Sequence, residues 1–231
     1  VPSRPDGLIV SADYSQIELR IMAHLSCDKH LIEAFRAGQD VHAITASKIF
    51  GIPLEEVTSD QRRIAKTANF GIIYGQSAFG LSQSLGIARK DAAQMIDQYF
   101  TQYAGIRDYM SQAIAFAKEN SYVETILKRR RYLRDINSAN MTVRGFAERN
   151  AINAPIQGSA ADMIKIAMIN IQADIERLQL QGKMIMQVHD ELVFDVPTAE
   201  IETFKDLIST RMKTAIALSV PLEVEIGQGK N

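Results

Sequence analysis

Apolar positions change their period along the chain. Leu8-Ile9-Val10 run on through Ser11-Ala12 to Asp13, the pattern of a short buried strand that ends on a carboxylate. Ile17, Ile21 and Leu25 then recur every fourth residue, which predicts a helix over about 16–25. From Asp28 to about Asn120 the pattern is helical in pieces, with breaks at Gly38, Gly51-Ile52-Pro53, Gly75, Gly86 and Gly105. Ser59 or Asp60 is the expected N-cap of the helix that begins near Gln61. A short strand pair is expected at 122–125 and 131–133. Helices at 139–153 and 159–180 follow, separated by a bend, because Pro155 biases Ala154 away from helix.

The last third is different. Residues 183–188 and 192–196 read as strands joined by the polar turn His189-Asp190-Glu191. A helix over 199–217 and a strand over 222–226 complete the pattern. Strands thus flank a long helical insertion. The expected fold is α+β: a discontinuous antiparallel-sheet domain built from both ends of the chain, with an all-helical subdomain inserted.

Composition excludes some classes. Of the 231 residues 46% are hydrophobic and 23% charged, ordinary for a soluble globular protein. No apolar run approaches the roughly 20 residues of a membrane span, and Val1-Pro2-Ser3-Arg4-Pro5-Asp6, polar and Pro-rich, shows no signal pattern. A single cysteine, Cys27, leaves no intramolecular disulfide and suits a reducing, cytoplasmic compartment. Net charge is −1, which argues against a polyanionic partner until its distribution is read. Residues 62–149 hold 14 Lys and Arg against 7 Asp and Glu, while each flank is net acidic. A basic middle suits nucleic acid, and acidic ends suit divalent cations.

Asp13 ends the first strand and Asp190 sits in a hairpin turn. If their strands are neighbours, both carboxylates project from one sheet edge, with Glu191 and Glu18 close in sequence. Hard cations such as Mg²⁺ take oxygen ligands and complete their shells with water and phosphate. Local backbone capping explains an aspartate at either place equally well. His189 beside Asp190 invites a metal-ligand reading, although a histidine in a tight turn is more often structural.

The helix near Gln61 carries Arg62, Lys66, Phe70 and Tyr74 four residues apart on one face. Two cations suit a triphosphate, and two rings suit a sugar or base. A solvated face whose rings dip into the core is the plain alternative. Gly71 inside this helix costs about 1 kcal/mol relative to Ala, which suggests close approach of another backbone or a ligand. Gly75 and Gly86 beyond it are candidate hinge points. Lys128-Arg129-Arg130-Arg131 would bind phosphates without reading sequence. Arg149, Asn153 and Gln157 form a further stripe of minor-groove donors, able to test pair geometry without reading base identity.

Taken together, these segments resemble the bacterial family A DNA polymerases. Asp13-Tyr14-Ser15-Gln16-Ile17-Glu18-Leu19-Arg20 is similar to their motif A. Residues Arg62 to Gly75 are similar to motif B, and Val188-His189-Asp190-Glu191 to motif C. Arg149 to Gly158 matches a further signature of the same family. The order is right and the resemblance covers nearly the whole chain.

The resemblance implies a palm at 1–35 and 150–231 with fingers at 36–149. It implies two Mg²⁺ ions, with Mn²⁺ able to substitute, held by Asp13, Asp190 and the Tyr14 carbonyl, with Glu191 at the edge. It implies that Arg62, Lys66 and His42 contact the triphosphate of a dNTP, with Lys66 also a proton donor to pyrophosphate. Phe70, Tyr74 and Gln16 would line the nucleotide site, and Glu18 would exclude a 2′-hydroxyl. Arg149, Asn153, Gln157, His189 and the basic run at 128–131 would touch primer-template DNA. The implied reaction is DNA synthesis in replication and repair, by a protein monomeric in its parent form. The rivals are a single-subunit-type RNA polymerase, a non-catalytic DNA-binding module derived from a polymerase, and a two-metal nuclease. The family has a Gly and later a Pro where Lys128 and Arg134 stand here, which makes that turn a point of departure. Its thumb would precede Val1, so the chain is expected to be a fragment.

Overall fold

The computed structural model describes residues 2–230, and they divide into two units. The first comprises residues up to Ile21 and from Gly158 onward; the second is Met22–Gln157.

The sheet unit is built on β1 (Gly7–Tyr14), β4 (Lys183–Val188), β5 (Glu191–Pro197) and β6 (Val224–Gly229), ordered β4-β5-β1-β6. All pairs are antiparallel. β1 is central and alternates as its pattern predicts, with Val10, Ala12 and Tyr14 buried and Asp13 exposed. β5 is buried along most of its length, whereas the edge strand β4 leaves Ile185 and Met186 about half exposed, at 52% and 53%. Helix α9 (Ile201–Lys213) follows a single 3-10 turn and seats Phe204 on Phe194 of β5, ring centroids 6.2 Å apart. The helix is shorter than 199–217. Asp174 ties α9 to the long helix α8 (Met141–Arg177) by accepting from Arg211 Nε at 2.5 Å, while also accepting from Arg177.

The second unit is helical: α2 (Lys29–Arg36), α3 (Val41–Phe50), α4 (Ser59–Ile73), α5 (Ala78–Leu85), α6 (Arg89–Gln102), α7 (Ala104–Asn120) and the first part of α8, with one hairpin of β2 (Tyr122–Glu124) and β3 (Arg130–Tyr132). Helix α1 (Ile17–Ser26) and α8 each contain a division between units. Gly51 and Gly86 cap α3 and α5 in left-handed conformation, and Gly38 and Gly75 share it, as glycine allows without a Cβ clash. Gly105 acts differently. The break falls at Tyr103, and Gly105 lies in the first turn of α7, where a Cβ would come within 2.9 Å of Asp28 Cα.

Two further expectations are corrected. Helix α4 is capped by Thr58, not by Ser59 or Asp60, because Thr58 and Gln61 form a reciprocal capping box that satisfies two backbone donors. The helices at 139–153 and 159–180 are one helix, with Pro155 inside it. Proline removes one helical bond, but Ala151, Ile152, Ala154 and Ile156 on either side are all buried, so packing there offsets the loss.

The units divide at 21/22 and 157/158, against the expected palm boundaries at 35/36 and 149/150. The difference at the first boundary has a local cause. Asp28 caps α2 through the Leu31 N–H and accepts from the Gly105 N–H, which fastens residues 28–36 to the helical unit.

Candidate active site residues

In the sheet unit, register decides which carboxylates meet. Asp13 pairs with Glu191 across β5 and with Glu225 across β6. The β4–β5 turn is the two residues His189-Asp190, with His189 at φ 53° and Val188 paired to Glu191. The Tyr14 N–H approaches the Asp190 carbonyl at 3.5 Å, which holds that turn beside the end of β1. Asp13, Asp190, Glu191 and Glu225 therefore share one corner of the sheet. Partial burial, then the charges of Asp190, Glu191 and Glu225, raise the Asp13 pKa above the usual carboxylate range. Such a corner is poised for a positive charge. Glu225 is the member that sequence reading missed, because only pairing across β1 brings it to Asp13.

The donors at this corner suit a hard divalent cation. Among the described residues no three of His, Cys, Asp and Glu already form a cage. Mg²⁺ needs only one or two carboxylates and draws its other ligands from water and phosphate. The Tyr14 phenol is buried and donates to the Met212 carbonyl at 2.7 Å, so only the backbone of this residue is available to a metal. Gln16, at φ 55°, buries its side-chain Oε1 without a hydrogen-bond partner. Glu18 sits half-buried in the first turn of α1. His189 is exposed at the hairpin tip, and its carbonyl accepts from Gln187 Nε2.

The helical unit carries the cations. Along α4, Arg62 and Lys66 are exposed while Phe70 and Tyr74 are half-buried, so the stripe runs from solvent toward cover. The other faces bury Ala65, Ala68, Ile72 and Ile73. Phe70 lies between His42 and Tyr74, with centroid distances of 5.9 and 6.1 Å. The capping pattern brings His42 here: Asp40 caps α3 through the His42 and Ala43 N–H groups and accepts from Arg62 Nε at 2.5 Å. Burial alone would raise the Asp40 pKa, but its hydrogen bonds and the Arg62 charge outweigh that effect and lower it. Burial, reinforced by the positive charges of Arg62 and Lys66 against that of Asp40, lowers the His42 pKa to about 4. His42 is therefore an uncharged imidazole at neutral pH, set among two cations and a ring. Asp40 is a second residue that sequence reading missed. An aspartate just before Val41-His42 is itself a helix-start signal.

At Gly71 the close neighbour is a side chain, against the expectation of another backbone or a ligand. A Cβ there would lie 2.5 Å from Gln76 Oε1, so the space belongs to a side chain of the following loop.

Arg149, Asn153 and Gln157 share a face of α8 within this unit; Arg149 and Gln157 are exposed and Asn153 is half-buried. Asn153 Nδ2 donates to the Tyr74 carbonyl at 3.2 Å, at the end of α4, while its Oδ1 is buried without a partner. Arg149 borders a cavity of about 250 Å³ with Ile72, Gly75, Phe100 and Ile152. In the basic run, Lys128 and Arg130 both reach Glu124, and Arg130 lies over the Tyr122 ring at 4.4 Å. Arg129 and Arg131 are exposed on the same hairpin. Lys128 has φ 66°, a left-handed backbone carried by a lysine.

A sheet unit ending in clustered carboxylates, and a helical unit with a cation-and-aromatic helix, define the class: an α+β domain with a helical insertion. The chain belongs to DNA polymerase family A, whose family model matches residues 1–231. It is 52% identical over 231 residues to DNA polymerase I of Lactococcus lactis subsp. cremoris, covering 100% of this chain and 26% of that protein. It is 52% identical over 229 residues to DNA polymerase I of Geobacillus stearothermophilus, again with 26% of the relative covered. Among solved structures, the POL domain of Pol1 from M. smegmatis, in complex with DNA primer-template and dNTP, matches with a TM-score of 0.96 and 46% identity. That match covers 100% of this chain and 41% of the other. The chain thus spans about a quarter of the length of these curated relatives. Among the described residues no helix is long and apolar enough to cross a membrane.

Proposed function

We propose that this chain carries the nucleotidyl-transfer site of a template-directed DNA polymerase, with the sheet unit as palm and the helical unit as fingers. The observation that carries the reading is the carboxylate corner. Asp13 and Asp190, far apart in sequence, meet at one sheet edge where burial and mutual repulsion raise the Asp13 pKa.

Asp13, Asp190 and the Tyr14 carbonyl would hold two Mg²⁺ ions, or Mn²⁺ in their place. When bound, the ions supply charge stabilisation for the attacking 3′-hydroxyl and for the departing oxygen. The protein's own residues do the rest by positioning and electrostatics. Arg62 would exchange Asp40 for phosphate oxygens. Lys66, exposed on the same face, would bind the triphosphate and give a proton to pyrophosphate. Phe70 would lie against the sugar and base, with Tyr74 toward the templating position. Glu18 would exclude the 2′-hydroxyl by bulk and so select dNTPs. Arg149, Asn153, Gln157, His189 and the hairpin cations would contact primer-template. A bacterial cytoplasmic location, a monomeric parent protein and service in replication and repair complete the reading.

The test is primer extension by this chain at low salt with Mg²⁺ and dNTPs, beside Asp190→Asn. Extension that vanishes in the variant supports the reading. Extension that survives it overturns the site assignment. NTPs used in preference to dNTPs would favour an RNA polymerase, and primer shortening without dNTP a nuclease. DNA binding that is indifferent to Mg²⁺, with no extension even when the remaining length of the relatives is supplied upstream, would favour a non-catalytic module.

A further inference from the structure

A buried chain of polar side chains runs behind His42. Tyr103, Thr45, Asn69 and His42 are 1%, 1%, 0% and 2% exposed, and they come from α3, α4 and the α6–α7 junction. The Tyr103 hydroxyl lies 3.1 Å from Thr45 Oγ1. Thr45 Oγ1 lies 3.1 Å from Asn69 Oδ1 and 2.8 Å from the Val41 carbonyl, so its single proton is shared between two acceptors. Asn69 Nδ2 lies 2.9 Å from His42 Nδ1. Four polar groups in so dry a place must satisfy one another, because an unpaired one costs on the order of 1–3 kcal/mol.

Proton accounting ties the His42 tautomer to the orientation of the Asn69 amide. A primary amide offers hydrogens on one side and lone pairs on the other. With Oδ1 toward Thr45, Asn69 presents N–H to His42, and Nδ1 must be the bare acceptor. The ring proton of the neutral imidazole then sits on Nε2, away from the relay. The opposite arrangement turns Asn69 Nδ2 toward Thr45 and Oδ1 toward a His42 Nδ1–H. It leaves Nε2 as a lone pair, which repels a phosphate oxygen. One buried amide therefore decides whether His42 is a donor or an acceptor at Nε2, the ring nitrogen not engaged by Asn69.

We propose that Asn69, oriented by Thr45 and Tyr103, is a positioning residue that holds His42 as the Nε2–H tautomer, so that an uncharged imidazole donates to the nucleotide's triphosphate. The phosphate half of this proposal rests on the function proposed above; the tautomer half does not. The depressed proton affinity of His42 supports it, because a ring that stays neutral needs a fixed tautomer to be a dependable donor. Burial keeps the relay from water that could supply either proton pattern.

The direct test is ¹⁵N NMR of the four histidines of this chain, His42 assigned by its loss in His42→Gln. The expected spectrum shows His42 as Nε2–H at neutral pH. Asn69→Asp places an acceptor against Nδ1 and is expected to move the proton to Nδ1. Thr45→Val, a milder change further along the relay, is expected to give a mixture of tautomers. An Nδ1–H signal in the unaltered chain, or a tautomer indifferent to both variants, overturns the proposal. The second readout is a double-mutant cycle in primer extension. Asn69→Ala is expected to raise the KM for dNTP roughly tenfold, with a smaller change in kcat, and to have little further effect in the His42→Ala background. An equal loss in both backgrounds would mean that Asn69 only supports the fold. If no extension is seen even when the remaining length of the relatives is supplied upstream, the polymerase reading fails, while the tautomer measurement still decides what Asn69 does to His42.

Discussion

The two units present their chemistry by different means. In the sheet unit the acidic groups are brought together by strand register, and the residues between them are irrelevant to their meeting. Asp13 lies beside Glu191 and Glu225 only because β1 is central and pairs antiparallel on both sides. In the helical unit Arg62, Lys66, Phe70 and Tyr74 share a face by helical period alone. The first arrangement is set by topology and accumulates like charge. The second is set locally, and its nearest acid, Asp40, already neutralises Arg62. The acidic unit holds repulsion that a cation would relieve, whereas the cationic face must exchange one of its partners to bind an anion.

The sharpest way to break this contrast is to remove one member of each set. Asp190→Asn leaves the fold, since its backbone makes the turn contact, but removes a carboxylate from the corner. It is expected to cut the rate of single-nucleotide addition by about 10³-fold, equivalent to roughly 4 kcal/mol, read in a quenched-flow extension assay. Lys66→Ala removes an exposed cation and is expected to cost about 10²-fold in kcat, with Lys66→Arg recovering part of it. If the Lys66 loss fell in KM alone, Lys66 would be a binding group only and the proton-donor role would fail.

The same contrast explains which features are legible in the amino-acid order and which are not. The stripe on α4 is fully legible, because i, i+4 spacing depends on nothing beyond the helix. The α+β class and β1 follow from a change of period between regions. Asp13 and Asp190 stand out as candidates, but their meeting depends on strand order, which local pattern does not encode. Glu225 is invisible for that reason. Thr58 is hard to single out as N-cap because Ser59 and Asp60 are equally good capping residues, and only the reciprocal bond from Gln61 separates them. Pro155 misleads in the other direction. Its local bias is real, yet burial on both sides keeps the helix continuous.

A third prediction separates the units by pH. His42 has a folded-state pKa of about 4, below its ordinary 6.5. Between those values the unfolded chain binds more protons than the folded one. Stability from this group is therefore complete above about pH 6.5 and is lost as pH falls toward 4. The expected loss is on the order of 1–2 kcal/mol between pH 7 and pH 5, measured by urea unfolding followed in the helical signal. Asp13 works in the opposite sense, because its pKa is raised: the folded state binds more protons than the unfolded, and stability falls as pH rises through that range. In His42→Gln the acid-side loss should flatten while the Asp13 trend remains. Parallel curves for the two proteins would mean that the fold does not depress the proton affinity of His42.

The smallest expected effect concerns the backbone after the stripe helix. Gly75 and Gly86 both have left-handed backbone, at φ 74° and 66°. An alanine at either place incurs the left-handed penalty of roughly 1–2 kcal/mol, less the roughly 0.4–1 kcal/mol gained by stiffening the unfolded chain. Their surroundings differ. A Cβ at Gly86 would meet nothing within 4 Å, whereas one at Gly75 would lie 3.2 Å from Arg149 Cγ and 3.5 Å from Ile152 Cδ1. Gly86→Ala therefore measures the backbone cost alone, and the excess cost of Gly75→Ala measures how firmly α8 presses on the end of α4. Because the close atom belongs to a flexible arginine, the excess should stay below about 1 kcal/mol, and it should shrink further in an Arg149→Ala background. An excess that persists there would point instead to Ile152 and to the Asn153–Tyr74 hydrogen bond as the rigid contacts. The stripe helix would then owe its position to the α8 backbone as much as to its own residues, and the helical unit would be local in the face it displays but not in where that face is held.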